Sequence, residues 1–178
     1  MHTLVIGGCR SGKSAHALGL AEGFQTDRKL FVATCQPYDD EMRARVARHQ
    51  RERDETWETL EVPMELSRTL ELHNTAGSVV LVDCLTFWLT NMAMANLSEI
   101  DIERRIASLD QTLTAMKVPV ILVTNEVGQG IVPENRLARQ FRDWAGLMNR
   151  KVAQSADQVV WMVAGIPVAV KSAAGASR

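Results

Sequence analysis

The sequence predicts an α/β layered domain with a mostly parallel central sheet. Three observations carry this. Short, almost wholly apolar runs rich in β-branched residues recur along the chain, as strands buried on both faces of a sheet require. Stretches with helical spacing separate them, so strands and helices alternate as in βαβ units. Loops rich in Gly, Asn, Asp and Thr follow the runs, where such sheets place their ligands.

Thr3 to Ile6 reads as the first strand, and Ala17, Leu20, Ala21 and Phe24 give the following helix an apolar stripe at i, i+3, i+4, i+7. Leu30–Ala33 is the next strand, followed by Thr34–Gln36. Asp39, Asp40 and Glu41 then form an acidic start suited to a helix N-terminus. Val79–Val82 is a strand that runs into Asp83–Thr86. Ile102, Ile106, Leu109 and Leu113 form one helical stripe, and Leu137, Phe141, Trp144, Met148 and Val152 another. Between them Val118–Thr124 is a strand leading to Asn125–Gly130. Val159–Val163 is the last, and the apolar stretch running on to Val170 is broken by Gly165 and Pro167. No linker or repeat divides the chain, so residues 1–171 are expected to form a single catalytic domain and 172–178 a frayed tail.

Composition narrows the class. The 178 residues are 46% hydrophobic and 23% charged, with a formal net charge of −1. That balance excludes a disordered chain and lacks the basic footprint of a general nucleic-acid binder. Cys9, Cys35 and Cys84 are an odd count without a C-x-x-C pair, which argues against a disulfide framework or zinc site and for a reducing cytoplasm. No apolar run reaches the roughly 18 residues a membrane span needs.

The chemistry starts at Gly7-Gly8-Cys9-Arg10-Ser11-Gly12-Lys13-Ser14, which satisfies G-x-x-x-x-G-K-[ST] between a strand and a helix. Glycines let the backbone turn its N–H groups towards a triphosphate, and the helix N-terminus adds positive charge. Lys13 suits the β- and γ-phosphates, and the Ser14 hydroxyl suits Mg²⁺. Asp83, closing the apolar strand Ser78–Val82, is the expected second metal ligand. The fold class sharpens to a P-loop NTPase-like layered domain.

His49 lies among Arg43, Arg45, Arg48, Arg51 and Arg53. On a helix it continues the stripe of Met42 and Val46. Two readings stand here. His49 is a half-buried helix residue beside a solvated charged face, or it is a nucleophile attacking a nucleoside triphosphate whose charge the arginines neutralise. Residue pattern alone favours the first, since charge runs are usually solvated faces. His2, His16 and His73 have no comparable surroundings.

Further segments carry a resemblance. The phosphate loop with Phe31-Val32-Ala33-Thr34, the run from Asp40 through His49 to Glu61, Asp83-Cys84-Leu85-Thr86 and Trp88-Leu89-Thr90-Asn91 are in this order. Val123–Gly128, Gly130-Ile131-Val132-Pro133 and Phe141-Arg142-Asp143 follow. Together they resemble the bifunctional adenosylcobinamide kinase/adenosylcobinamide-phosphate guanylyltransferase family of cobalamin synthesis, over nearly the whole chain. Cys9 stands where that family commonly has Ala, and Arg48 where a second His can occur.

The resemblance implies two reactions. A phosphoryl group passes from ATP or GTP to adenosylcobinamide; His49 then attacks the α-phosphorus of GTP, and the GMP it carries is handed to adenosylcobinamide phosphate, giving adenosylcobinamide-GDP. The resemblance places nucleotide contacts on Gly7–Ser14, Thr34, Cys35, Gln36, Gln50, Arg51, Glu52, Arg53, Glu61 and Asp83, and it implies a homotrimer. It thereby selects the nucleophile reading of His49, which must be neutral to attack; a free pKa of roughly 6.5 and nearby arginine charge both favour that form. A P-loop kinase without a covalent intermediate remains an alternative, and a nucleotide-dependent switch would have no need of the His49 segment. Trp57, Trp88, Trp144 and Trp161 are candidates for packing against a corrin ring, though each is more often core.

Overall fold

A computed structural model describes residues 1–37, 39–40, 42–43 and 53–172. The described chain runs β1 (His2–Gly7), α1 (Lys13–Glu22), β2 (Arg28–Ala33), β3 (Trp57–Glu61), α2 (Leu66–Leu72), β4 (Ser78–Asp83), α3 (Leu85–Met94), α4 (Glu99–Ala115), β5 (Val120–Asn125), α5 (Arg136–Ser155), β6 (Gln158–Val163) and β7 (Ile166–Lys171). Its strands form one sheet in the order β3-β2-β4-β5-β1-β6-β7. Every pairing is parallel except the hairpin of β6 with β7.

Successive strand residues point to opposite faces, and the sequence uses both. Leu4, Leu30, Val32, Val80, Val82, Val120 and Leu122 face the layer made by α2, α3, α4 and α5. Their neighbours Val5, Phe31, Val79, Leu81, Ile121 and Val123 face Ala17 and Ala21 of α1. Doubly apolar strands are therefore what this layering demands.

The predicted α4 stripe is sealed from water: Ile102, Ile106 and Leu109 are 0% exposed and Leu113 is 1%. Each buried aliphatic chain contributes about 1.5–3 kcal/mol. Ser98 caps that helix by accepting the Asp101 N–H at 3.2 Å, and Asn135 caps α5 through the Ala138 N–H at 3.0 Å. At the far end of α5 the Lys171 ammonium donates to the carbonyls of Ala153 and Gln154, at 3.2 and 2.9 Å. Cationic charge is favourable there.

Three details differ from the sequence reading. Trp57–Glu61 is a strand, pairing Leu30 with Glu58 and Ala33 with Glu61. Gly165 and Pro167 do not end regular structure: Ala164 and Gly165 take positive φ (50° and 83°) in a tight turn, and β7 follows as an edge strand. An edge tolerates Pro167 because its missing N–H faces away from a partner. Leu137, in the first turn of α5, is 50% exposed, so that stripe starts its burial later. Of the four tryptophans, Trp57, Trp88 and Trp144 are buried and Trp161 is 38% exposed. No described helix is long and apolar enough to cross a membrane, and none of Cys9, Cys35 and Cys84 is in a disulfide.

Candidate active site

The loop from β1 to α1 is shaped by close packing. A Cβ on Gly7 would meet the Ser11 hydroxyl at 2.6 Å and the Met162 carbonyl at 2.8 Å, so only glycine fits there. Arg10 (φ 55°) and Gly12 (φ 88°) take left-handed backbone. The Gly165 N–H, from the β6–β7 turn, donates to the Ser11 carbonyl at 3.2 Å. Lys13 is 8% exposed, and its ammonium donates to the Gly8 carbonyl at 2.9 Å, folding back over the loop it belongs to.

Sheet order gathers the remaining groups. β5 lies between β1 and β4, with Gly7 opposite Asn125 and Asp83 opposite Val123. The strand ends open into a cleft of about 380 Å³, within the size range of small-molecule sites. Cys9, Lys13 and Ser14 line it from the loop, Asp83 and Cys84 from the end of β4, and Asn125–Val127 from the end of β5. The other wall is built from Phe31, Ala33 and Cys35 of the β2 region and from Thr59 and Glu61 of β3. Arg53 closes this wall, its guanidinium carbon 3.5 Å from the centre of the Phe31 ring. Met42, Pro37 and Phe87 complete the rim.

Among the residues singled out from sequence, the structure brings Cys9, Lys13, Ser14, Cys35, Arg53, Glu61 and Asp83 to this one cleft. Gly7, Gly8, Arg10, Ser11 and Gly12 supply the loop backbone beneath it. Thr34 is fully buried behind the wall, and Gln36 is exposed outside the lining. His49, Gln50, Arg51 and Glu52 lie outside the described residues, as do Glu41, Arg45 and Arg48. The expected acidic helix start is present where described: Asp39 accepts the Met42 N–H at 2.8 Å, and Asp40 pairs with Arg43 at 2.7 Å. Sequence reasoning missed Phe31, Thr59 and Phe87. Phe31 reads as one more strand residue, and Thr59 lies in a short polar run whose only residue singled out for the nucleotide site is Glu61, otherwise a surface strand carboxylate.

Behind Asp83 the scaffold is dry and hydrogen-bonded. The Thr34 hydroxyl and the backbone of Cys84 exchange two bonds, across a cis Asp83–Cys84 peptide. The Asn91 amide donates to the carbonyls of Thr34 and Pro63, at 2.7 and 2.9 Å, and the Trp88 indole donates to the Met64 carbonyl at 2.8 Å. Helix α3 thus holds the chain leaving β2 and β3. Burial, with Asp83 beside it, pushes the Cys84 thiol up to about 12, so it stays protonated and inert.

A second polar network sits behind β5. Asn125 donates its backbone N–H to the Thr86 hydroxyl at 2.8 Å, and its carbonyl accepts from the Asn149 amide at 3.2 Å. The Thr124 hydroxyl donates to Asn149 Oδ1 at 2.8 Å. The following loop is held by α5: Arg142 donates to the carbonyls of Gly128, Gly130 and Ile131, and Arg139 to those of Pro133 and Glu134.

Ser14 and Asp83 offer hard oxygens in the same cleft, which suits Mg²⁺. No cluster of three or more His, Cys, Asp or Glu able to hold a metal occurs among the described residues. The ion would therefore depend on phosphate oxygens and water for its remaining ligands, as Mg²⁺ with nucleotides commonly does.

The fold and this cleft define a P-loop nucleotide-binding protein. Solved structures share that architecture: the flagellar accessory protein FlaH of Methanocaldococcus jannaschii (TM-score 0.53, 14% identity, 97% of this chain and 78% of that one) and the RadB recombinase (0.50, 16%, 90% and 73%). At such identities the likeness concerns fold alone. Sequence comparison goes further, since the family model for cobinamide kinase / cobinamide phosphate guanyltransferase matches residues 3–170. The chain belongs to that family. It is 42% identical to the bifunctional adenosylcobalamin biosynthesis protein CobU of Salmonella typhimurium, covering 96% of this chain and all of that one. Against CobU of Escherichia coli the identity is 40% with the same coverage, and against CobP of Pseudomonas aeruginosa 39%, with 96% and 98% covered.

Proposed function

We propose that this chain is a bifunctional transferase of cobalamin synthesis. It phosphorylates adenosylcobinamide with ATP or GTP, then transfers GMP from GTP to adenosylcobinamide phosphate through a covalent guanylyl-His49 intermediate. Residues 1–171 act as a single catalytic unit. The observation that carries the covalent reading is the position of Arg53. It borders the cleft at the Phe31 ring, and four residues of chain, spanning at most ~14 Å, connect it to His49. Met42, seven positions before His49, borders the same cleft. Described residues on both sides of the stretch that contains His49 therefore border the phosphate site, which supports the reading.

The roles follow from this arrangement. The loop Gly7–Ser14 grips the phosphates with backbone N–H groups, and Lys13 supplies positive charge. Ser14 and Asp83 would hold Mg²⁺, which would supply neutralisation of phosphate charge. Thr34, Cys35 and Gln36, with Gln50–Arg53 and Glu61, contribute the rest of the nucleotide site. In guanylyl transfer, His49 forms a P–N bond as the α-phosphorus releases pyrophosphate, which keeps the bridging electron pair. The phosphate of the acceptor then displaces His49 and forms the diphosphate bond.

Incubation with α-labelled GTP is the test. An acid-labile label on the peptide containing His49, absent from His49→Ala, is the expected result. An unlabelled chain that still completes guanylyl transfer would sink the covalent step and leave a direct transfer. The family's trimer is expected here too, and the exposed apolar residues Ile166, Val168 and Val170 of the edge strand β7 fit burial between subunits. Light scattering reads it directly. A reducing cytoplasm is expected, where cysteines remain outside disulfides.

A further inference from the structure

We propose that Asn125 is a catalytic residue of the phosphoryl-transfer step, its carboxamide N–H donating to the terminal phosphoryl group of the bound nucleoside triphosphate. The inference rests on the kinase reading above and adds a residue to it. Position is the first argument. The strand ending at Asn125 lies between the strand that leads into the phosphate loop and the strand that ends at Asp83. Asn125 itself is paired with Gly7 and lines the cleft together with Lys13 and Asp83. A phosphoryl group held by the loop, with Asp83 on the other side, would have this position beside it.

Fixation is the second argument. Both backbone polar groups of Asn125 are held by side chains from two different helices, the Thr86 hydroxyl on its N–H and the Asn149 amide on its carbonyl. Thr124 fixes Asn149 in turn. Its own carboxamide, by contrast, makes no hydrogen bond among the described residues. The next residue differs in this respect, because the Glu126 carboxylate accepts the Gly128 N–H at 2.5 Å and shapes its loop. An amide donor on a backbone clamped at both ends is preorganised for developing charge and needs no reorganisation during reaction.

The acceptor's hydroxyl oxygen bonds to the terminal phosphorus and loses its proton to water. The bond to the β–γ bridging oxygen breaks, and its electron pair leaves on the nucleoside diphosphate. Charge builds on the terminal phosphoryl oxygens, where the Asn125 N–H donates. Guanylyl transfer breaks a different bond, at the α-phosphorus, so the two half-reactions separate a catalytic role from a structural one. Thr86 and Asn149 are positioning residues, acting through the Asn125 backbone.

The experiment measures the two half-reactions separately, with adenosylcobinamide and ATP for one and adenosylcobinamide phosphate and GTP for the other. Asn125→Ala and Asn125→Asp are expected to lower kcat for phosphoryl transfer about 100-fold, with the nucleotide KM within about threefold and guanylyl transfer down by less than about tenfold. Thr86→Val should show the same selective loss in weaker form, and Thr86→Ser, which keeps the hydroxyl, should restore activity. Equal losses in both half-reactions, or undiminished phosphoryl transfer in both Asn125 variants, would overturn the assignment. If the unmodified chain fails to phosphorylate adenosylcobinamide, the kinase reading itself falls; a competent unmodified chain with indifferent variants sinks this inference alone.

Discussion

The hydroxyl of Thr34 and the backbone of Cys84 are bonded to each other twice: Thr34 Oγ1 donates to the Cys84 carbonyl at 2.7 Å and accepts the Cys84 N–H at 2.9 Å. One side chain from the end of β2 thereby satisfies both backbone groups of the residue next to Asp83. Thr34→Val keeps the shape but leaves the buried Cys84 N–H unpaired, costing about 1–3 kcal/mol, while the Cys84 carbonyl keeps the Trp88 N–H at 3.2 Å. Denaturant unfolding should show a loss of that size in the Val variant and little in Thr34→Ser. A Val variant as stable as the parent would mean that the pair is replaced without cost.

Gly7→Ala should be damaging in spite of its size. The added methyl has nowhere to go on the Met162 side, because the obstructing atom is a strand carbonyl 2.8 Å away. Overpacking of this kind costs about 1–3 kcal/mol, and here the displaced element is the phosphate loop. Thermal unfolding and nucleotide titration should both worsen. Gly8→Ala is the control for the thermal measurement, since a Cβ there meets no protein atom within 4 Å.

Lys13→Ala should impair both half-reactions, by about 100-fold or more, because one preorganised cation serves one phosphate loop. Here it contrasts with His49→Ala, which should abolish guanylyl transfer and retain phosphoryl transfer. Unequal effects of Lys13→Ala, with one reaction untouched, would require two separate nucleotide sites.

Alkaline stability should carry a signature of Cys84. Burial holds its folded-state pKa at about 12, above the ordinary value of 9.0. Below pH 9 the thiol is neutral in both states, and its contribution is complete. Between pH 9 and 12 the unfolded chain releases the proton first, so stability falls with rising pH until the folded thiol ionises too. The slope of unfolding free energy over that window should be steeper in the parent than in Cys84→Ala. Equal slopes would show that the thiol ionises alike in both states.

Much of this was legible in the sequence because the signals are local. The glycine spacing of residues 7–14, the apolar runs ending at Asp83 and Asn125, and the 3.6-residue stripe of Ile102–Leu113 each report one element without help from the rest of the fold. Trp57–Glu61 is a strand because β2 pairs with it at the sheet edge; its own pattern, Trp-Glu-Thr-Leu-Glu, is polar and short. The edge strand after Gly165 is hidden in the sequence for a related reason, since Pro167 weighs against a strand only where a partner needs its N–H. The cleft's second wall was hidden for the same cause: Thr59 and Glu61 acquire their positions from a pairing that no single segment encodes. Arg53 declared itself only as a charge, and its stacking on Phe31 depends on two strands meeting.

The turn joining the final two strands reaches far beyond its own hairpin. Because Gly165 braces the carbonyl of Ser11, the nucleotide grip near the amino end is completed by residues near the carboxyl end. A chain cut just before that turn would retain every side chain assigned to the chemistry and still be expected to bind nucleotide poorly, its loop having lost the buttress that sets its curve.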